Sequence, residues 1–156
     1  MSAFHIGLRA APCVIALVLP LAGAHAAAPR AYCAHIVNDD RLHPAPSSLA
    51  GAIKHLFNLS GAEAVQTTFY RCADGEVKLC NVGANLPCGK ANLSKSLDGA
   101  TAWCGDNPNS DFIPMVATGH DTIYNWRCVN GIATPGAPVA KVDSRGFFSE
   151  YWKPLK

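Results

Sequence analysis

The chain has 156 residues, and its 13 basic and 11 acidic side chains give a net charge of +2 at pH 7. This near-neutral balance excludes the strongly basic face that nucleic-acid phosphates require, and it disfavours electrostatic docking on anionic lipid. The length suits a single globular domain.

The first 26 residues predict a cleavable signal peptide. One cation, Arg9, precedes an uncharged apolar run from Ala10 to Gly23, and small residues at Ala24 and Ala26 occupy the positions that signal peptidase requires. Cleavage after Ala28 is the alternative site. The apolar run is too short for a retained membrane anchor. We therefore expect a periplasmic or secreted domain with no membrane association after cleavage.

Cysteine usage favours the same location. One of the seven cysteines, Cys13, leaves with the leader, and an even number in an exported domain predicts disulfides. A metal site is disfavoured because no Cys-x-x-Cys pair occurs. Six cysteines allow fifteen pairings, and the sequence leaves the choice open. The predicted disulfide cysteines are Cys33, Cys72, Cys80, Cys88, Cys104 and Cys128.

Residues 27–46 are predicted to be an irregular segment, because Pro29, Pro44 and Pro46 limit regular structure. Residues 47–156 are predicted to form one globular domain, linked by disulfides.

A helix opens this domain. Apolar residues recur at helical spacing from Leu49 to Leu59, Ser47 or Ser48 is placed to cap the helix, and Gly61 is placed to end it. The single apolar stripe predicts packing against a sheet.

Two hairpins with similar sequences follow. Residues 65–72 predict a strand, Asp74-Gly75 favours a type I′ turn, and Glu76–Val82 is the return strand. Residues 122–128 predict another strand that leads to Asn130-Gly131. The two copies have the same order of residue types: an aromatic residue, Arg, Cys, an apolar residue, Asp or Asn, and Gly. This repeat predicts either a duplicated hairpin or two strands in equivalent places of one sheet.

The remaining segments are more polar. Gly83–Asp111 predicts a long connection with a short helix near Leu97–Cys104, and Val139–Leu155 predicts two strands around a turn at 143–146. The predicted fold class is α+β, mostly β: a small antiparallel sheet or partial barrel with one packed N-terminal helix, linked by disulfides.

Motifs for catalysis are sparse. No serine-hydrolase or cysteine-protease signature occurs. His35 lies close in sequence to Asp39 and Asp40, a pairing that could orient an imidazole as a general base; a surface location is the alternative. His120, which precedes Asp121, is open to the same two interpretations.

No metal site and no cofactor are predicted, because the zinc-protease and calcium-loop patterns are absent. His35 and His43 would share an ion only if the loop between them brought the rings together.

The candidate binding surface is the polar loop 89–96, which lies between two cysteines. A pinned loop loses little entropy on binding, and its lysines suit an acidic cleft such as the carboxylate pair of a glycosidase. An ordinary solvated loop is the alternative. The candidate binding residues are Lys90, Asn92, Ser94 and Lys95.

The pattern of residues 68–152 resembles small exported bacterial proteins. It comprises Y-R-C-x-D-G-x-V, C-x-x-G-A-N-x-P-C-G-K-A-N, Y-x-W-R-C-x-N-G and V-D-x-R-G-F. This resemblance implies a location in the cell envelope and no established activity. The strand, Cys and Asp-Gly combination is more distantly similar to the periplasmic inhibitors of C-type lysozyme. Their Ser-Gly-x-x-Tyr and Lys-Gly-x-x-Ala segments are absent, so no inhibitory residue is transferred to this chain.

The leading functional hypothesis is an exported, non-enzymatic binding protein of the cell envelope. Its partner would be an envelope protein, such as a hydrolase, or a cell-wall glycan. The alternatives are a small periplasmic hydrolase that uses a His/Asp pair and a structural envelope protein without a discrete site.

Overall fold

The computed structural model describes residues 28–83 and 86–156, so the predicted signal peptide lies outside the described residues. Two antiparallel sheets, several helices and three disulfides form an α+β fold, as the sequence predicts. Helix and strand are about equally represented, because short helices accompany the predicted one. None of the helices in these two ranges has the length and apolar character needed to cross a bilayer.

The first sheet has four antiparallel strands, which are β1 (Asp39–Pro44), β2 (Thr68–Ala73), β3 (Glu76–Asn81) and β6 (Lys153–Pro154), in the order β1-β2-β3-β6. The β2–β3 hairpin turns at Asp74 and Gly75, whose φ angles of 55° and 78° are both positive, as a type I′ turn requires.

The prediction of an irregular segment at residues 27–46 is wrong. Pro29 begins helix α1 (Pro29–Ile36), where a missing N–H costs nothing because the first turn has no intrahelical acceptor for it. Pro44 ends β1, which lies at the edge of the sheet, a position that tolerates proline. The disulfide between Cys33 and Cys72 ties α1 to β2, so this segment belongs to the domain.

The predicted helix appears with shifted ends. A 3₁₀ helix (Ser47–Leu49) leads into α2 (Ala50–Phe57), and Ile53 of its apolar stripe is completely buried. Asn58, at φ 57°, provides the left-handed end three residues before the predicted Gly61. Gly61 instead precedes a further short helix, α3 (Ala62–Gln66), at the start of the segment predicted as strand.

The second sheet is the other repeated hairpin. Strands β4 (Tyr124–Val129) and β5 (Ile132–Pro138) join through Asn130 and Gly131, which again both have positive φ. The two copies therefore share a turn geometry but lie in separate sheets, so they do not fill equivalent places in one sheet.

Two helices accompany this hairpin, α4 (Asp98–Asp106) and α5 (Met115–Thr118). The first of them confirms the helix predicted near Leu97–Cys104. Gly99 of α4 lies so close to the carbonyl of Ala117 that an added Cβ would come within 2.2 Å of the oxygen, so only glycine permits this packing.

Each of three hydrophobic clusters contains one disulfide. The pairs are Cys33–Cys72 in the cluster under α1 and α2, Cys80–Cys88 beside Phe147 and Trp152, and Cys104–Cys128 between α4 and β4.

Candidate functional site

The structure pairs Asp39 with His43 and leaves the predicted partner, His35, at the exposed end of α1. The Nε2 atom of His43 lies 2.9 Å from Oδ2 of Asp39, while no hydrogen bond joins His35 to Asp39 or Asp40 among the described residues. A His/Asp pair therefore exists, but it is built from a residue of β1 that the sequence did not single out as a base.

Asp39 is surrounded by donors. The hydroxyl of Tyr32 donates to it at 2.7 Å, and Arg41 donates from its backbone N–H and from its guanidinium. These hydrogen bonds, that of Arg41 foremost, hold the pKa of Asp39 far below its usual value although burial opposes the shift. The carboxylate is therefore ionised at any physiological pH.

Aromatic rings enclose His43. Tyr70 stacks on the imidazole at a centroid distance of 4.9 Å, and Tyr32 meets its edge at 5.4 Å. The side chain of His43 is 25% exposed. Within residues 28–83 and 86–156, no serine, threonine or cysteine hydrogen-bonds to this imidazole, so the structure presents an oriented histidine without an attached nucleophile.

Asp40 lies in a different network from Asp39. Its carboxylate accepts a hydrogen bond from Nε of Arg145 and pairs with Nζ of Lys90 at 2.8 Å. The Arg145 contact, more than Lys90, lowers the pKa of Asp40. Lys90 therefore already has an anionic partner in the protein, which it shares with Arg145, although its side chain is 57% exposed.

The other predicted binding residues have mixed surroundings. The backbone of Asn92 bonds to Asp121 and Ile123, so this residue joins the loop to the strand region of the second sheet. The Ser94 hydroxyl donates to the carbonyl of Ser96 and closes a local turn. Lys95 is exposed. Of the four residues, Lys90, Asn92 and Ser94 therefore already have partners within the protein.

Arg71 is the most enclosed charge in the first hairpin. Its side chain is 1% exposed, it pairs with Asp143, and its guanidinium lies over the rings of Phe147 (4.1 Å) and Trp152 (4.9 Å). Burial raises the pKa of Asp143, but backbone N–H donors and Arg71 lower it further, so the net shift is downward. This contact joins β2 to the C-terminal tail.

A groove beside β4 was not expected from the sequence. It is a cavity of about 480 Å³ between residues 111–115, α5 and β4, and we call it the β4 groove. Large apolar side chains stand exposed on its rim: Phe112 at 66%, Met115 at 57% and Val139 at 62%. Trp126 is buried in its wall. Adjacent exposed apolar side chains of this size are typical of interaction sites.

The β4 groove also carries polar groups that the protein does not use. Asp111, His120 and Asn125 line it, and no side-chain hydrogen bond or ion pair to them occurs in the described part of the chain. This differs from Asp39 and Asp40, which are saturated by internal partners. Ligand-binding sites typically combine an apolar concave surface with a few polar groups that have no partner within the protein.

Backbone pairing explains how the groove forms. The N–H of Ile113 donates to the carbonyl of Trp126, and the N–H of Cys128 donates to that of Ser110, so residues 110–113 run along the free edge of β4. Pro114 then precedes α5, which begins at Met115 on the rim. A sequence signal was present, since residues 112–116 are an apolar run in an otherwise polar stretch.

No group of three or more His, Cys, Asp or Glu side chains that could hold a metal ion occurs in the described ranges. Comparison of the chain with protein-family models, curated proteins and solved structures gives no match.

Proposed function

We propose that this chain is an exported, non-enzymatic binding protein of the cell envelope, periplasmic or secreted, and that the β4 groove is its binding surface. The observation that carries this proposal is the groove itself, where exposed Phe112 and Met115 stand beside the unused polar side chains of Asp111 and Asn125. Three disulfides support export, since such bonds persist in oxidising compartments.

The proposal moves the binding surface away from the loop 89–96. Lys90 pairs with Asp40, and Oδ1 of Asn92 accepts a hydrogen bond from the N–H of Ser94, so a partner that uses either side chain competes with an internal contact. The rim of the groove has no such cost, because its apolar side chains face solvent and gain free energy on burial.

A capture experiment with matched variants tests this location. The disulfide-intact domain, residues 27–156, is immobilised and exposed to an envelope extract, and bound proteins and glycans are identified by mass spectrometry. We expect a discrete set of ligands that the Phe112→Ser, Met115→Ser double variant no longer retains. The Lys90→Ala, Lys95→Ala double variant should retain them.

Circular dichroism of each variant establishes that the fold is kept, which is expected because both groove substitutions are at exposed positions. Ligands that depend on the two lysines and not on the groove would return the binding surface to the loop. Identical capture by all three proteins would show that neither surface binds a ligand. That result would favour a structural protein without a discrete site.

A small hydrolase is the second candidate, and the Asp39–His43 pair is the observation that favours it. Turnover of chromogenic ester, peptide and glycoside substrates by the mature domain would support it, provided that His43→Ala abolishes the activity and His35→Ala does not. Absence of turnover across the three substrate classes would remove this candidate.

A further inference from the structure

We infer that the β4 groove recognises a cationic segment of a partner protein, in which a Lys or Arg side chain is followed by an apolar one. This inference rests on the proposed function and names the chemistry of its ligand.

The charge of the surrounding chain is the first argument. Residues 96–126, which include most of the groove, contain four aspartates and no lysine or arginine, and the exposed Lys95 and Arg127 at the two ends of this stretch do not line the cavity. Among these acids Asp111 lines the cavity, and Asp121 lies between two lining residues, His120 and Thr122. Asp111 is the only Asp, Glu, Lys or Arg among the described lining residues, so the cavity favours a ligand of positive charge.

Asp111 and Phe112 provide the contacts that a cation prefers. Both side chains line the same cavity, the carboxylate has no partner among the described residues, and the Phe112 ring is 66% exposed. One ammonium or guanidinium group could therefore pair with the carboxylate while it lies over the ring face.

The rest of the rim suits an apolar neighbour of that cation. Met115 and Val139 are both more than half exposed, and buried Trp126 forms the wall behind them. A methionine side chain adapts its shape to different apolar groups, which favours a protein segment over a ligand of fixed shape. Asn125 is available to bond the ligand backbone.

The same charges argue against anionic cell-wall polymers and lipid headgroups. Carboxylate or phosphate groups in such ligands would face Asp111 and the negative stretch around it, and like charges at an interface weaken association. A glycan is therefore the alternative outcome of the test.

The test uses fluorescence anisotropy of labelled hexapeptide pools with the mature, disulfide-intact domain. One pool fixes Lys-Leu at its centre and the matched pool fixes Glu-Leu, with the other positions randomised. We expect the Lys-Leu pool to bind and the Glu-Leu pool not to bind. Asp111→Asn should weaken binding about fivefold, the effect of losing one exposed ion pair. Asp106→Asn, an exposed acid of the same stretch that does not line the groove, should leave binding unchanged.

Each other outcome overturns the inference in a distinguishable way. Binding of a muropeptide or a chitin trimer that is lost in the Phe112→Ser, Met115→Ser variant would keep the groove as the binding site and replace the ligand class. Self-association in sedimentation that Asp111→Asn abolishes would make the partner a second copy. Failure of both pools together with groove-independent capture from the envelope extract would remove the β4 groove as the binding surface as well.

Discussion

Arg71 and Arg127 occupy the same position in the two repeated hairpins, yet their surroundings are opposite. Arg71 is buried against two aromatic rings and paired with Asp143, whereas Arg127 is exposed on β4. The difference arises because the C-terminal tail, with Phe147 and Trp152, covers the first hairpin. A buried guanidinium depends on its partner and on the aromatic faces, since water no longer solvates it.

We predict that Arg71→Lys lowers the free energy of unfolding by about 2–4 kcal/mol, because an ammonium group cannot reproduce the planar contacts with the rings and the carboxylate. Arg127→Lys is the matched control and should change stability by less than about 0.5 kcal/mol. Urea denaturation of the two variants measures the difference. Equal effects would mean that the enclosure of Arg71 contributes nothing to stability.

The lowered pKa of Asp39 predicts that the fold loses stability in acid. Its pKa in the folded protein lies below the ordinary value of 3.8, so the stability it contributes is present above that value and is lost as the pH falls below it. Asp40 and Asp143 shift in the same direction. We predict that Asp39→Asn lowers the free energy of unfolding at pH 7 by about 1–2 kcal/mol and makes its decrease below pH 4 shallower.

Denaturation curves between pH 7 and pH 2 measure both effects, with the exposed Asp106→Asn as control. An acid limb as steep in Asp39→Asn as in the native protein would assign the pH dependence to other groups.

For single residues, the sequence predicted local backbone geometry well and long-range contacts poorly. Asp74 and Gly75 form the expected turn because its backbone angles depend on those two residues alone. Which histidine pairs with Asp39, His43 or His35, depends on how β1 pairs with β2. The register of these two strands shifts between Asp39 and His43. No short-range pattern contains that information.

The α4–α5 contact provides a prediction for a single element. Gly99→Ala would place a methyl group against the carbonyl of Ala117, and we expect a loss of about 1–3 kcal/mol in the free energy of unfolding. Gly105 lies in the same helix with nothing within 4 Å of an added Cβ, so Gly105→Ala should be neutral or stabilise by up to about 1 kcal/mol.

Thermal unfolding of the two variants measures this contrast directly. Because α5 borders the β4 groove, Gly99→Ala should also weaken any groove-dependent binding, whereas Gly105→Ala should not. Similar melting temperatures for both variants would contradict the close approach of α4 and α5.

Elements with an apolar helical period or a strong turn signal were predicted, whereas α1 and β1 were missed because their prolines were interpreted as limits to regular structure. Helix α2 and both hairpins follow from apolar periodicity and from Asp-Gly or Asn-Gly turns. Helices α3 and α5 have five and four residues, too few to show a helical period. The β4 groove was missed for the same reason, because α5 and a strand-edge segment together form it.

At the scale of the whole molecule, each of the three hydrophobic clusters in the described residues contains one disulfide, and the lengths of the loops that these bonds close predict how much each contributes to stability. The bonded cysteines are 39, 24 and 8 residues apart in Cys33–Cys72, Cys104–Cys128 and Cys80–Cys88. Chain-entropy arguments give losses of about 4, 3.5 and 2.5 kcal/mol when each pair is replaced by alanine.

Urea denaturation of the three paired alanine variants tests this ranking. Each bond lies inside one cluster, so each replacement should loosen its own region first, which hydrogen exchange resolves. A variant without Cys80 and Cys88 that is the least stable of the three would contradict the ranking by loop length.

The order of these bonds along the chain has a consequence for how the protein acquires them. The six cysteines of the described residues are joined in consecutive pairs, the first to the second, the third to the fourth and the fifth to the sixth, so the three loops neither overlap nor enclose one another. In a chain that crosses a membrane with its N-terminus first, each native bond can close as soon as its second thiol emerges, before the next pair appears. We expect an oxidase that joins consecutive thiols to be sufficient for correct pairing, without an isomerase to rearrange wrong bonds.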